Sequence, residues 1–317
     1  MSGIARFWAW VRYKHLLPFA AKSRPRGRFY ALVAGTVDYW LDRPRRTSGA
    51  ARARRWLSVP APVAFPISRA VVRNSLVVEA QEEADSVFLI RHPGEFRGHL
   101  PGASELPPLP ARTVFATIHT GAHVFAYAYL RKVCRLNVRA IARPLGPDNL
   151  MPDAKRRYAE KKLAWLHMQL GVDFLGTDLA SLAFAREHLL GGNPIFATFD
   201  ASGDLASRTQ EVCDERLVAS SGVATLARLT ESMIVPLVAI WTPQGVRVHF
   251  GNPVPPGEAD PLPAVFRQLE NFIRRFPDHW SLWPYVQAAQ GPAAPARWPE
   301  VAAAPRVTSA APSFGGG

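Results

Sequence analysis

The sequence predicts an α/β protein: a mixed, largely parallel sheet flanked by helices, with an N-terminal helical, membrane-proximal part. Three observations point there. From residue 111 onward, short apolar runs of strand length alternate with helical segments of about 10–15 residues. Runs such as "RTVFATI" lack polar alternation and read as buried strands. Residues 1–80 are instead basic and helical in character.

The elements follow in order. "FWAWVRYKHLLPFAA" carries Arg12, Lys14 and His15 inside its apolar stretch, and "FYALVAGTVDYWL" contains Asp38. Neither offers the roughly 20 apolar residues that a membrane span needs, and neither resembles a signal peptide. Aromatic residues mixed with Arg and Lys suit helices lying in a membrane interface. The helical part breaks near "LSVPAPVAFP", and residues 81–110 hold a short helix followed by the Pro/Gly-rich "HPGEFRGHLPGASELPPLP". Then "RTVFATI" reads as a strand, "AHVFAYAYLRKVC" as a helix and "NVRAIAR" as a second strand. "DAKRRYAEKKLAWLHMQLG" is a strong helix closed by Gly171. "VDFLG" is a short strand, "DLASLAFAREHLLGG" a helix and "PIFATFD" a strand ending on Asp200. "SGVATLARLTES" is a helix, "MIVPLVAIW" and "GVRVHFG" are strands, and "PLPAVFRQLENFIRRFP" is the last helix. The chain thus divides into a basic amphipathic part, 1–80, an α/β domain, 81–290, and an Ala/Pro/Gly-rich tail, 291–317, expected to be disordered.

Charge sharpens the first of these. The chain of 317 residues has a net charge of +13, and residues 1–60 hold 13 Lys and Arg against Asp38 and Asp42 alone. A basic segment of this kind attracts polyanions: an anionic lipid surface, nucleic acid or an acidic carrier protein. No nucleic-acid module accompanies "RPRRTSGAARARR", so a nucleic-acid partner is not expected. Cys134 and Cys213 form neither a disulfide framework nor a zinc pattern.

Sites in open α/β sheets form beyond the carboxyl ends of strands. Three such ends carry a polar residue: His119 after "VFATI", Arg143 after "VRAIA" and Asp200 after "IFATF". Singly, each has a plain structural reading: a backbone-bonding histidine, a solvated loop arginine, a turn-capping aspartate. His119 and His123 stand four residues apart, as zinc-binding histidines can, but no third ligand is suggested and no metal or other cofactor is expected. "ASGD" and "ASSGVA" lack the flanking pattern of a nucleophile elbow.

The order of these motifs resembles the lysophospholipid acyltransferase superfamily, in its lipid A late acyltransferase-like (lauroyl/myristoyl acyltransferase) branch. The resemblance covers roughly residues 5–286. It rests on His119-Thr120-Gly121-Ala122-His123-Val124 at the H-x-x-x-x-D/E position and on "IARPLGPDNLMPDAKRRY" at an Arg-Pro block. It continues through "TDLASLAFAREHLLGGNPIFATFDASGD", "SGVATLARLTESMIVPLVAIW" and "FPDHWSLWPYV". The resemblance implies a glycerolipid acyltransferase-like fold and transfer of a fatty acyl group from an acyl carrier protein or coenzyme A thioester. His119 would be the general base. Gly121, His123, Arg143, Asp200 and Asp204 would contact substrates. The basic N-terminal segment would dock an anionic surface, placing the protein peripherally on the cytoplasmic face of the inner membrane.

The sequence departs from that family at the acid. Val124 stands where the family has Asp or Glu, and no acidic residue lies between Glu105 and Asp148. Four outcomes are open: a carboxylate from elsewhere (Asp200 or Asp204 first) serves His119; the acceptor is an amine and needs less help than a hydroxyl; His123 takes part; or the scaffold binds acyl groups or lipids without catalysis.

Overall fold

The computed structural model describes residues 3–41, 49, 51, 53, 61–95, 106, 108–142, 153–171, 174–200, 207–212, 215–242, 245–257, 260–283 and 287–288. The tail 291–317, most of the basic run 43–55, and two of the candidate site residues, Arg143 and Asp204, lie outside them.

The N-terminal helices come first. Helix α1 (Gly3–Val11) passes through a π-helical stretch, Arg12–Leu16, into α2 (Leu17–Ala20), and α3 is Arg24–Leu41. Helix α4 then runs from Ala61 to Arg91, 31 residues without interruption. It starts inside the proline-rich stretch that reads as a break and crosses position 80, where the sequence suggests a division. Pro62 falls in the first turn, where a backbone N–H has no intrahelical acceptor and proline is tolerated.

Helices α3 and α4 pack closely, and Gly35 permits it. A Cβ on Gly35 would stand 2.5 Å from Val77 N and 2.6 Å from Val77 Cα. Around this contact lies a small core that includes Leu17, Tyr30, Ala34, Ala80 and Ala84. A buried charge cluster joins the same helices. Arg12 donates to Glu83 Oε2 at 2.6 Å, to the Tyr30 hydroxyl at 3.0 Å, and to Asp38. Tyr13 donates to Glu83 Oε1 at 2.7 Å, and Trp8 Nε1 to Asp38 Oδ1 at 2.8 Å. Every charge in the cluster has a partner, the condition under which buried ions are tolerated.

The α/β part builds on strand β1 (Thr113–Thr117), whose five residues are all buried. Helix α5 (His123–Lys132), strand β2 (Arg139–Ala140), helices α6 (Asp153–Leu170) and α7 (Leu179–Leu190) and strand β3 (Ile195–Thr198) follow. Gly171 ends α6 with φ +66°, and the Asp178 side chain caps α7 by accepting from Ser181 N. Next come strands β4 (Ser207–Val212) and β5 (Glu215–Ser220), helix α8 (Gly222–Leu229), strands β6 (Met233–Thr242) and β7 (Gly245–Phe250), helix α9 (Leu262–Arg275) and strand β8 (Gln287–Ala288).

The main sheet has the order β2-β3-β1-β6-β7. Its first three pairings are parallel and only β6–β7 is antiparallel. This is the mostly parallel, helix-flanked mixed sheet that the alternation predicts. A core on one face, with Val114, Ile118, Phe199, Phe266 and Trp283, packs under α9. The opposite core, with Phe115, Phe125, Tyr129 and Trp165, packs under α5 and α6.

Two further details differ from what the sequence pattern predicts. The sequence pattern does not predict the antiparallel hairpin β4–β5, which forms a separate three-stranded sheet with β8. Within "VDFLG", the described residues 174–176 contribute a bridge between Leu175 and Ile141 and no longer strand.

Candidate functional site

The site follows from strand register. Strands β1 and β3 are parallel neighbours paired Val114–Ile195, Phe115–Phe196, Ala116–Ala197 and Thr117–Thr198. Two steps further along each chain, the same register brings His119 opposite Asp200. The ladder is prolonged by Phe199 N–H donating to Thr117 O at 2.9 Å. At the parallel strand ends, outside the sheet proper, the two side chains meet.

Asp200 Oδ1 lies 2.7 Å from His119 Nδ1. Asp200 Oδ2 accepts from the His119 backbone N–H at 2.8 Å and from Trp280 Nε1–H at 2.9 Å. The carboxylate is fully buried, whereas the His119 side chain is 33% exposed. Asp200 is therefore placed to hold His119 and is out of reach of a substrate, which narrows the substrate-contact expectation for it. A carboxylate bound by two N–H donors on one oxygen acts as an acceptor on the other. It fixes His119 as the Nδ1–H tautomer and leaves the Nε2 lone pair available. No polar partner meets Nε2 among the described residues.

Desolvation by the surrounding protein disfavours a charged His119. The Asp200 carboxylate, with its hydrogen bond and smaller contributions from Glu79 and Glu82, outweighs that and raises the His119 pKa above the ordinary imidazole value.

The segment after α9 clamps the turn. Ser281 donates to the His119 carbonyl from its N–H at 3.0 Å and from its hydroxyl at 2.8 Å. Gly121 N–H donates to His279 O at 3.2 Å, and Thr120 bridges to Trp280. On the other side the turn rests on α4. A Cβ on Gly121 would fall 2.1 Å from Val78 Cγ1 and 3.0 Å from the Val78 carbonyl atoms, so only glycine lets the turn sit this close. Gly121 is thus a packing requirement of the site. A small apolar recess behind the turn is lined by Ile118, Thr120, Val238, Ile240, Phe276 and Trp280.

His123 opens α5. Its Nδ1 lies 2.8 Å from Thr120 O, a carbonyl that can only accept, so His123 is also an Nδ1–H tautomer. Glu82 Oε2 on α4 stands 3.6 Å from the same nitrogen, and Glu82 is ion-paired to Lys162 of α6. Burial lowers the His123 pKa in spite of Glu82. The two imidazole rings stand 5.4 Å apart, centre to centre.

Val124 is half-buried against the core under α5 and α6. Position 124, where the sequence resemblance expects an acid, is thus part of an apolar wall, and the carboxylate at His119 comes from the neighbouring strand. Among the described residues no cluster of three or more His, Cys, Asp or Glu is placed to hold a metal ion.

Trp280, Ser281, Glu82 and Lys162 are site residues that the sequence reading did not single out. For Asp200 as His119's partner, a signal was present: "VFATIH" and "IFATFD" share Phe-Ala-Thr in the same place, with an apolar residue on each side, and end on His119 and Asp200. Two matching buried strands laid side by side in parallel put their terminal polar residues together.

No protein-family model matches the chain, and no curated protein matches it either.

Proposed function

We propose that the chain is an acyltransferase on a glycerolipid acyltransferase-like scaffold. It moves a fatty acyl group from an acyl carrier protein or coenzyme A thioester to a hydroxyl or amine of a lipid-like or small acceptor. One observation carries this reading: a partly exposed histidine is fixed by a buried carboxylate in the tautomer that presents a free Nε2 lone pair. That is the arrangement of a general base whose charged form will be compensated.

The acceptor's proton passes to His119 Nε2 as its oxygen or nitrogen attacks the thioester carbonyl carbon. The tetrahedral adduct collapses, the C–S bond breaks, and the departing thiolate takes the proton from the imidazolium. Asp200 stabilises the imidazolium between these steps. On the resemblance, Arg143 would bind an anionic group of donor or acceptor through its planar fork.

The N-terminal helices support a peripheral location on the cytoplasmic face of the inner membrane. Ile4, Phe7, Trp10, Phe19, Phe29 and Trp40 are exposed large apolar side chains there. Cations accompany them: Lys14 lies 5.3 Å from the Trp10 ring, and Arg26 lies 4.9 Å from the Phe19 ring. This mixture suits an anionic lipid interface. Among the described residues no helix is long and apolar enough to cross a membrane.

The alternative, a catalytically inactive acyl- or lipid-binding protein, is favoured by Val124 in the acid's place. Incubation with an acyl thioester and a lipid acceptor separates the two. Acyl transfer with release of free thiol supports the enzyme; tight acyl binding with the thioester intact supports the binder.

A further inference from the structure

Resting on the acyl-transfer reading, we propose that His123 is a second proton acceptor of the site and that the natural acceptor is a primary amine. The geometry pairs two imidazoles and holds each one the same way. His119 Nδ1–H is committed to Asp200 and His123 Nδ1–H to the Thr120 carbonyl. Both Nε2 atoms are left without a polar partner among the described residues, on rings 5.4 Å apart. Each side chain is partly exposed, 33% and 26% respectively, so both rings border solvent. Carboxylates back both rings: Asp200 behind His119, and Glu82, itself held by Lys162, beside His123.

Proton counting separates the two acceptor classes. A hydroxyl loses one proton on attack, and a single base returns it to the leaving thiolate. A primary amine arrives at neutral pH as R–NH3+ and must lose two. The first leaves to free the lone pair that attacks the carbonyl carbon. The second leaves the cationic nitrogen of the tetrahedral adduct before the C–S bond breaks. One proton goes to the thiolate and the other to solvent, giving an amide, a thiol and one released proton. One imidazole is enough for the first reaction, and two serve the second. Burial keeps His123 unprotonated in the range where His119 binds its proton more tightly, so a proton-free base remains available.

The test uses lysophosphatidylethanolamine, which offers a hydroxyl and a primary amine in one molecule, with decanoyl-coenzyme A as donor and mass spectrometry of the products. The expected product is the N-acyl species. His123→Asn retains a side-chain donor for the Thr120 carbonyl but removes the base. It should lower the ratio of N-acylation to thioester hydrolysis by about 10²-fold, the lower end for a positioned base. His123→Gln, which fills the Nε2 position without basicity, should do the same; circular dichroism verifies that both fold. O-acyl product alone overturns the amine inference and leaves acyl transfer standing; a ratio unchanged in both variants overturns the second-base role of His123; hydrolysis with no acylated product overturns transfer to either acceptor group. Thioester consumption no greater than that of His119→Ala overturns the acyl-transfer reading beneath it.

Discussion

Replacing Asp200 with Asn changes one atom and should remove most of the proposed acyl-transfer activity. Asp200 Oδ2 accepts two N–H donors, from the His119 backbone and Trp280, and Oδ1 faces His119 Nδ1. An asparagine has one oxygen, and the two donors on the Oδ2 side will hold it there. Its NH2 group then faces Nδ1. Two donors cannot face each other, so His119 adopts the Nε2–H tautomer and the lone pair leaves the side that meets substrate. The same exchange in a serine-protease triad lowers turnover by about 10⁴ through the same tautomer switch. That corresponds to about 5 kcal/mol of transition-state stabilisation at 1.36 kcal/mol per tenfold. Stability should suffer less, because the Trp280 and His119 backbone donors keep an acceptor. Asp200→Ala instead leaves both unpaired in a buried place, at about 1–3 kcal/mol each. The assay is thioester turnover beside thermal unfolding of both variants. Asp200→Asn retaining activity within tenfold of the unchanged chain would refute the argument.

Further consequences concern pH, packing and the N-terminal cluster. As the proposed base, His119 must be neutral, so kcat/KM for acyl transfer should rise with pH through its pKa, at a midpoint above the ordinary value of about 6.5; Asp200→Asn should move any residual rise to lower pH. Folding is linked with the opposite sign. The folded state binds this proton more tightly, so the pair's contribution to stability is complete below about pH 6.5 and is lost as pH rises through the folded-state pKa, as unfolding at stepped pH would show. Gly121→Ala should destabilise by about 1–3 kcal/mol through overpacking. Adding Val78→Ala removes the 2.1 Å clash with Cγ1 but leaves the 3.0 Å approach to backbone, so a double-mutant melt should show partial rescue only. Arg12→Leu leaves Glu83 and Asp38 without their buried cation and should lower stability by about 3–5 kcal/mol in denaturant titration. A loss below 1 kcal/mol would mean that the cluster adds little to the packing of the N-terminal helices.

What could be read in the sequence tracks what is locally encoded. Buried strands such as "TVFAT" and "IFAT" and helices with clear ends such as Asp153–Leu170 reveal themselves by apolar runs, caps and a closing glycine. The β4–β5 hairpin does not, because "SRTQEV" and "ERLVAS" mix polar residues with few apolar ones and lack an Asn-Gly or Asp-Gly turn. Helix α4 reads as divided in the sequence because its prolines look like punctuation. Its acids Glu82 and Glu83 look like a solvated face yet are buried against cations and a histidine from distant elements, and Asp85 is buried beside Gln81 of the same helix. His119 and Asp200 were each legible as strand-end markers. Their union depends on which strands are neighbours and in what register, which no local pattern states. The local H-x-x-x-x-D/E rule even points away from it, since Val124 fills that position with an apolar packing residue.

The most direct measurement is acceptor-dependent thiol release from an acyl thioester by the unchanged chain and by His119→Ala, with the acylated product identified by mass spectrometry. The account predicts product from the unchanged chain and a loss of 10³-fold or more in the variant, on the order of removing a catalytic base. Equal rates from both proteins, or no product from either while the acyl group stays bound, would contradict it.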